Sequence, residues 1–393
     1  MPRLSKAFVV LLTLVPLVAT FAAMGITPAL ILLVLLVGFA AGWQRPRNGS
    51  GDPTLLIALV AVLAWSLLSI WWSITPGFSF ESGAKLVGIM LIGFGGVQMA
   101  RMSDELPRNA IIAFAAALGV CACALALENL TGLLRAIYAV LHLDFSRFID
   151  KNVNRGLCAL VVLLWPAVNG LYRFGAARAG RLLAAVVAIA VVGMDSLSAT
   201  LALVASGAVY GLIMKWPTRV PHMLALAIPI FFMSWPLIFA LLDKPVFADP
   251  DIYNALPPTA QHRVEIWRFA LGKAFTEPWV GWGFETARGI PGGDVVYQGE
   301  RKYMPLHPHN SAIQILLELG VVGLVLWTAG IALVLRRWRK AAMPVYHRAT
   351  SGAAITAYLS IGFTAFGAWQ TWWIALGWLV AMLWLMIARE PAT

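Results

Sequence analysis

Charge is scarce in this sequence. Of its 393 residues only 12% are charged while 60% are hydrophobic, whereas a soluble domain is about one quarter charged. That shortage excludes a water-soluble globule. Cysteine is nearly absent as well: Cys121, Cys123 and Cys158 all lie inside apolar runs, which excludes a disulfide framework or a cysteine zinc centre and leaves them as small buried hydrophobes. Acidic residues number 18 against 29 Lys and Arg, a net charge of +11. No nucleic-acid motif accompanies that excess, and most of the basic residues are needed to set a membrane topology. What is plentiful is 34 Gly and 17 Trp, both frequent in membrane bundles, with Trp enriched at the headgroup level. The chain reads as an integral membrane protein.

Long apolar runs bounded by charged or turn residues predict twelve spans: 7–23, 28–43, 54–72, 83–100, 109–127, 156–172, 182–194, 197–214, 223–242, 311–335, 349–366 and 372–387. A span needs about twenty apolar residues, fewer where flanking Lys or Arg snorkel, so the short seventh run is carried by Arg181 and Asp195 beside it. Sorting the loops alternately to two sides puts seventeen of the 29 Lys and Arg in short segments on one side, including Arg45, Arg47 and Arg389. The other side has short connections free of Lys and Arg, with Lys85 just inside the fourth span, and two longer segments, 128–155 and 243–310. The positive-inside rule therefore predicts both termini in the cytoplasm and both long segments outside. Lys6 followed by an apolar run ending in Ala22 and Ala23 also suits a cleaved signal, but an uncleaved first helix is preferred; either way the other eleven spans keep their orientation.

Three parts follow: helices with one outer segment in 1–242, an outer loop at 243–310, and closing helices in 311–393. In segment 128–155, Leu130, Leu133, Leu134, Ile137 and Leu141 follow helical spacing ahead of Arg147, Lys151 and Arg155, which predicts a helix lying on the membrane surface or walling a site that holds a lipid. The 68-residue segment 243–310 is too long for a plain connection. Residues 263–275 read as a short helix with Arg263 and Trp267 one turn apart and Glu265 placed to pair Arg268. A turn with Pro278, Gly281 and Gly283 follows, and the segment ends in Leu306-His307-Pro308-His309-Asn310-Ser311 at the outer mouth of the tenth span.

An ion-coupled transporter keeps several ionisable groups at the membrane midplane. Here Glu318 alone lies well inside a span, and it is as open to a structural role as to a mechanistic one. The polar groups gather instead in the outer segments. A histidine can take a proton from a hydroxyl near neutral pH, and arginine presents a planar, permanently charged fork to phosphate oxygens. Together at an outer interface they suit a reaction in which a lipid diphosphate leaves and a hydroxyl attacks, with arginine stabilising the leaving group in place of a metal.

The run Arg263-Val264-Glu265-Ile266-Trp267, then Pro278-Trp279-Val280-Gly281-Trp282-Gly283-Phe284, then His309-Asn310-Ser311 with Gln314 and Glu318-Leu319-Gly320, resembles the signature of the bacterial O-antigen ligase and polymerase superfamily. The resemblance is specific over 263–320 and architectural elsewhere. It implies an all-α polytopic membrane protein of about 12 transmembrane helices with a periplasmic helical lid, a GT-C-like glycosyltransferase architecture in the bacterial inner membrane. It also implies a ligase that moves glycan from undecaprenyl diphosphate to the lipid A-core of lipopolysaccharide without metal or other cofactor. By that likeness His309 is the base on the acceptor hydroxyl, and Arg263 and, by a less distinctive match, Arg155 are catalytic groups facing the diphosphate. Lys85, Asn310, Arg288 and Trp267 are then expected to bind substrate. One departure is the stretch Ser196-Leu197-Ser198-Ala199-Thr200, where many relatives carry Ser-Arg, which leaves the subfamily open.

Plainer readings stand beside these. His309 can cap or anchor a helix, Arg263 can pair with Glu265 or Glu285 at a surface, and Lys85 can snorkel to headgroups. His307-Pro308-His309 has the spacing of a metal pair, with His262 as a third ligand, although Pro308 spoils regular strand geometry and no carboxylate sits at motif spacing. Asp249-Pro250-Asp251 has the Asp-x-Asp form of metal-using glycosyltransferases, yet suits a solvated turn better. A polymerase, a protein O-oligosaccharyltransferase and, in another class, a lipid-linked sugar transporter remain the alternatives.

Overall fold

The computed structural model of the protein describes residues 2–40, 53–103, 106–141 and 152–387. It is built from α-helices: α1 (Pro2–Phe21), α2 (Ile26–Ala40), α3 (Pro53–Leu68), α4 (Pro76–Met102), α5 (Arg108–Thr131), α6 (Leu133–Val140), α7 (Asn154–Arg173), α8 (Ala177–Gly193), α9 (Leu197–Lys215), α10 (Arg219–Leu242), α11 (Pro250–Ala255), α12 (Pro258–Ala274), α13 (Ser311–Lys340), α14 (Val345–Gly362) and α15 (Thr371–Ile387). A helix stands at each of the twelve expected spans. Seven are long and apolar enough to cross a membrane: α3 with its 3₁₀ extension, α4, α5, α7, α9, α10 and α13. Shorter apolar helices lie within α1, α2 and α15. The chain is an all-α polytopic membrane protein. Its peripheral helices turn apolar side chains such as Leu91, Val204 and Leu226 outward, as lipid-facing surfaces must.

α7 is the axis of the bundle. Every residue from Gly156 to Leu171 is buried, against α1, α5, α8, α9, α14 and α15. Gly156 permits this, because a Cβ there would sit 2.3 Å from the Thr20 carbonyl oxygen of α1. Arg155 is thereby fixed at the mouth of the central helix. α4 starts at Pro76, seven residues before the expected span, so Lys85 lies more than two turns along the helix rather than at its end.

Gly132 closes α5 in the left-handed conformation, at φ 63°, and α6 leaves at once with Leu133, Ile137 and Leu141 exposed, as the helical spacing predicts. Arg147 and Lys151, like Arg45, Arg47 and Arg389, lie outside the described residues.

Segment 243–310 departs from an all-helical lid. After α11 and α12 it runs irregularly and includes a two-stranded antiparallel hairpin, β1 (Val296–Gln298) with β2 (Arg301–Lys302). The turn residue Gly299 has φ 58°. The strands are too short for the period-two pattern to show in sequence.

The tenth span is broken. Gly320 sits at φ 66° and ψ −169°, dividing α13 into two helices. Broken helices leave carbonyls and amides without intrahelical partners, at several kcal/mol each in an apolar medium. Here Pro278–Phe284 supplies them. Trp282 N–H donates to Leu317 O at 3.0 Å and Gly283 N–H to Glu318 O at 2.8 Å, while Pro278 O accepts from Val321 N–H at 2.8 Å. Trp65 Nε1 closes the account at Leu319 O, 3.0 Å away. A Cβ on Gly320 would lie 2.2 Å from Trp279 O, and one on Gly281 2.5 Å from the Glu318 carbonyl carbon. Two motifs separate in sequence, Pro278 to Phe284 and Glu318 to Gly320, are thus one structural unit.

Candidate active site

The described groups with chemistry converge at one end of the bundle. His309 precedes α13 in a turn with φ 57°, a left-handed conformation that a non-glycine residue holds only under outside constraint. The constraints are visible. Trp267 Nε1 donates to Pro308 O at 2.8 Å, the His309 N–H donates to His307 Nδ1 at 3.2 Å, and His309 Nδ1 lies 2.5 Å from Ala365 O. A carbonyl only accepts, so Nδ1 carries the ring hydrogen and Nε2 is left as the basic nitrogen. Burial pulls the His309 pKa down to about 4, with the Ala365 bond opposing and the charges of Arg263 and His262 adding to the fall. The imidazole is therefore neutral at physiological pH. Burial, then His309, Arg288 and Arg155, hold His307 well below its ordinary range.

Arg263 reaches over the start of α9, with Nη2 3.4 Å from Ser198 Oγ and Nη1 3.5 Å from Thr259 O of its own helix. The carboxylates expected to compete for it are engaged elsewhere. Glu265 binds Arg268 at 2.6 Å, with Asp243 on the other side of that guanidinium at 2.6 Å, and Glu285 pairs with Arg288 at 3.3 Å. Arg263 makes no ion pair with a described residue, and Arg155 makes neither an ion pair nor a hydrogen bond with one. Burial lowers the Arg263 pKa, the nearby Cys158 thiol partly offsetting it; a guanidinium remains charged regardless. Arg263 and Arg155, without an ion-pair partner among the described residues, lie close enough for their charges to bear on His309 and His307 respectively, and a guanidinium in that state is suited to an anion.

The remaining predicted residues take varied positions. Arg288 stacks 4.0 Å over the Phe78 ring of α4, close enough for its charge to bear on His307. Lys85 is paired at 2.5 Å with Glu81, both side chains more than half exposed, a partner the sequence reading missed. Asn310 is fully buried, its oxygen caps α13 at Ile313 N–H, 3.0 Å, and its amide donates to Phe363 O, 3.1 Å. Trp267 likewise spends its indole N–H on Pro308 and packs edge-on to Phe239 and Trp235, so it holds the histidine turn in place.

His262 lies 3.0 Å from Lys302 O of the hairpin. Among the described residues no three His, Cys, Asp or Glu are grouped to hold a metal ion. Asp249 caps α11, accepting from Asp251 and Ile252 N–H at 2.9 and 3.4 Å, the behaviour of a turn residue.

Glu318 is wholly buried and accepts four hydrogen bonds: from Glu285 N–H at 2.8 Å, Ala287 N–H at 3.1 Å, Gln314 Nε2 at 3.2 Å and Trp369 Nε1 at 2.5 Å. The segment 363–370 supplies Trp369 and the Ala365 carbonyl; its first four residues were expected to close the span 349–366, but α14 ends at Gly362, and the segment acts here mainly through its backbone. Ser198 was visible only as part of a departure from the expected Ser-Arg.

Residues 182–328 match the O-antigen ligase family. A protein named "Putative polysaccharide ligase" from Rickettsia prowazekii is 30% identical over 247 residues, 61% of this chain and 59% of that protein. One from Rickettsia typhi is 29% identical over the same shares, and one from Rickettsia conorii is 25% identical over 335 residues, 83% of this chain and 78% of that protein. The chain thus spans 59% of the length of the first two relatives. The matched region contains the break in α13, its docked loop and the His309 turn, and over it the chain is similar to the O-antigen ligase family and to these polysaccharide ligase relatives.

Proposed function

We propose that this protein is an inner-membrane glycosyltransferase that joins a glycan carried on undecaprenyl diphosphate to a sugar hydroxyl of the lipid A-core. The observation that carries this reading is that Arg263 and Arg155 have no counter-anion among the described residues, while His309 has its Nδ1 on Ala365 O and no described partner at Nε2. The acceptor O–H gives its proton to His309 Nε2 while its oxygen bonds to the anomeric carbon. The bond from that carbon to the diphosphate oxygen breaks on the opposite face, and the diphosphate leaves with the electron pair, so the configuration inverts. Arg263 and Arg155 neutralise the departing charge, with Arg288 and Lys85 at the rim. Diphosphate is already a good leaving group, so guanidinium charge suffices without a metal.

In this reading both termini are cytoplasmic, the site faces the periplasm, and residues 243–310 form a catalytic loop between the helices of 1–242 and 311–393. The GT-C-like arrangement of about twelve spans belongs to the same proposal. A polymerase or a protein O-oligosaccharyltransferase would share donor, base and leaving group and differ in acceptor. A lipid-linked sugar transporter would use the broken α13 as a gate; the sealing of that break by protein backbone favours an enzyme.

The test is reconstitution with lipid-linked O-antigen and rough lipopolysaccharide in metal-chelating buffer without ATP or ion gradients. A product ladder from wild type and none from His309→Ala is expected. A wild-type ladder that appears only when metal is restored would refute the metal-free mechanism, and transfer only to a second lipid-linked glycan would identify a polymerase.

A further inference from the structure

Glu318 is the buried carboxylate that the proposed chemistry does not use. It makes no ion pair among the described residues, and its oxygens instead collect four N–H groups. Two of these are backbone amides of Glu285 and Ala287, in the loop that delivers Arg288. That loop cannot hold its shape alone. Glu285 has φ 57°, a left-handed conformation that a non-glycine residue keeps only where its surroundings over-determine it. Its preceding residue is fastened separately: Phe284 N–H donates to Ser69 Oγ at 3.0 Å, Phe284 O accepts from Ser79 Oγ at 2.6 Å, and its ring packs 4.8 Å from Trp369. Between Glu285 and Gly289, the hydrogen bonds that tie the described loop backbone to another element run to the Glu318 side chain.

We infer that Glu318 is a positioning residue: by binding the amides of Glu285 and Ala287 it fixes the loop that holds the Arg288 guanidinium over Phe78 at the rim of the diphosphate site. The inference rests on the proposed lipid-diphosphate donor. In this inference Glu318 touches no substrate, and its influence on donor binding passes through Arg288.

The experiment compares wild type, Glu318→Gln, Arg288→Ala and the double variant, reading KM for the lipid-linked donor, kcat, and thermal stabilisation by undecaprenyl diphosphate alone. Glutamine keeps the shape but turns one acceptor into an N–H₂ facing N–H groups. Glu318→Gln is expected to raise donor KM and shrink the stabilisation by a factor similar to that of Arg288→Ala, about tenfold for one lost charge-assisted contact, with the double variant no worse than Arg288→Ala. Losses that multiply in the double variant would overturn the inference while leaving the glycosyl-transfer reading intact. Wild type that neither binds undecaprenyl diphosphate nor transfers glycan would overturn both. If Glu318→Gln does not fold, Trp369→Phe removes a single donor while keeping an aromatic ring against Phe284; it is expected to show a smaller rise in donor KM that again vanishes on the Arg288→Ala background, and its persistence there would overturn the inference.

Discussion

A histidine can take a proton only while it is neutral, and the surroundings of His309 keep it so. With its pKa lowered to about 4, lowering the pH from 8 to 5.5 leaves the imidazole unprotonated, whereas an ordinary histidine would begin to fill near 6.5. Falling pH protonates the base, so activity falls with it, and the acid limb of kcat/KM is expected near pH 4. A limb centred at 6.5 would show that His309 is not the titrating base or is not buried. His309→Ala is expected to cost about 10²- to 10⁴-fold in kcat, the usual contribution of a positioned base. At Arg263, lysine keeps the charge and loses the fork, so Arg263→Lys is expected to raise donor KM on the order of ten- to a hundredfold. His309 and Arg263 stand out in the sequence because histidine beside a helix start and arginine in an outer loop are rare and chemically narrow. The bracing contacts of Asn310 and Trp267 do not, since a side chain that braces a neighbour carries the same letter as one that binds a ligand.

Between single residues and the whole bundle lies the docked pair formed by Pro278–Phe284 and the break in α13. Its glycines are fixed by contact and not by flexibility. Gly320→Ala places a Cβ 2.2 Å from Trp279 O at positive φ, so it is expected to lower the melting temperature and the yield of folded protein, by an amount in the range of severe core substitutions, about 3 kcal/mol or more. Gly330, in the same helix, has nothing within 4 Å of such a Cβ, and Gly330→Ala is expected to be neutral or slightly stabilising. Equal effects of the two would remove the docking from the account. Sequence showed the helix but not its interruption, because apolar residues continue on both sides of Gly320 and the partners of the freed carbonyls lie some forty residues away. The β hairpin escaped notice for a related reason: its register depends on a turn at Gly299, not on a pattern of side chains.

The helix positions of the described bundle were the most legible feature, since a bilayer imposes a single requirement of length and apolarity on a crossing helix. Orientation rests on the basic loops and can be tested directly. In a variant lacking the native cysteines, Gly299→Cys in the hairpin is expected to react with an impermeant thiol reagent applied to intact spheroplasts, and Met343→Cys between α13 and α14 only after lysis. The reverse pattern would invert the molecule and remove the active site from the periplasm.

The burial of α7 has a consequence for how such a chain changes over time. A peripheral helix exchanges one apolar residue for another at little cost, because lipid tails conform to either. α7 meets only fixed neighbours from Gly156 to Leu171, and interiors packed at crystal density do not conform. Substitutions along it are therefore expected to persist mainly as matched pairs with α1, α5, α8 or α14, so drift in the axis of the bundle is correlated drift, while the rim varies one position at a time.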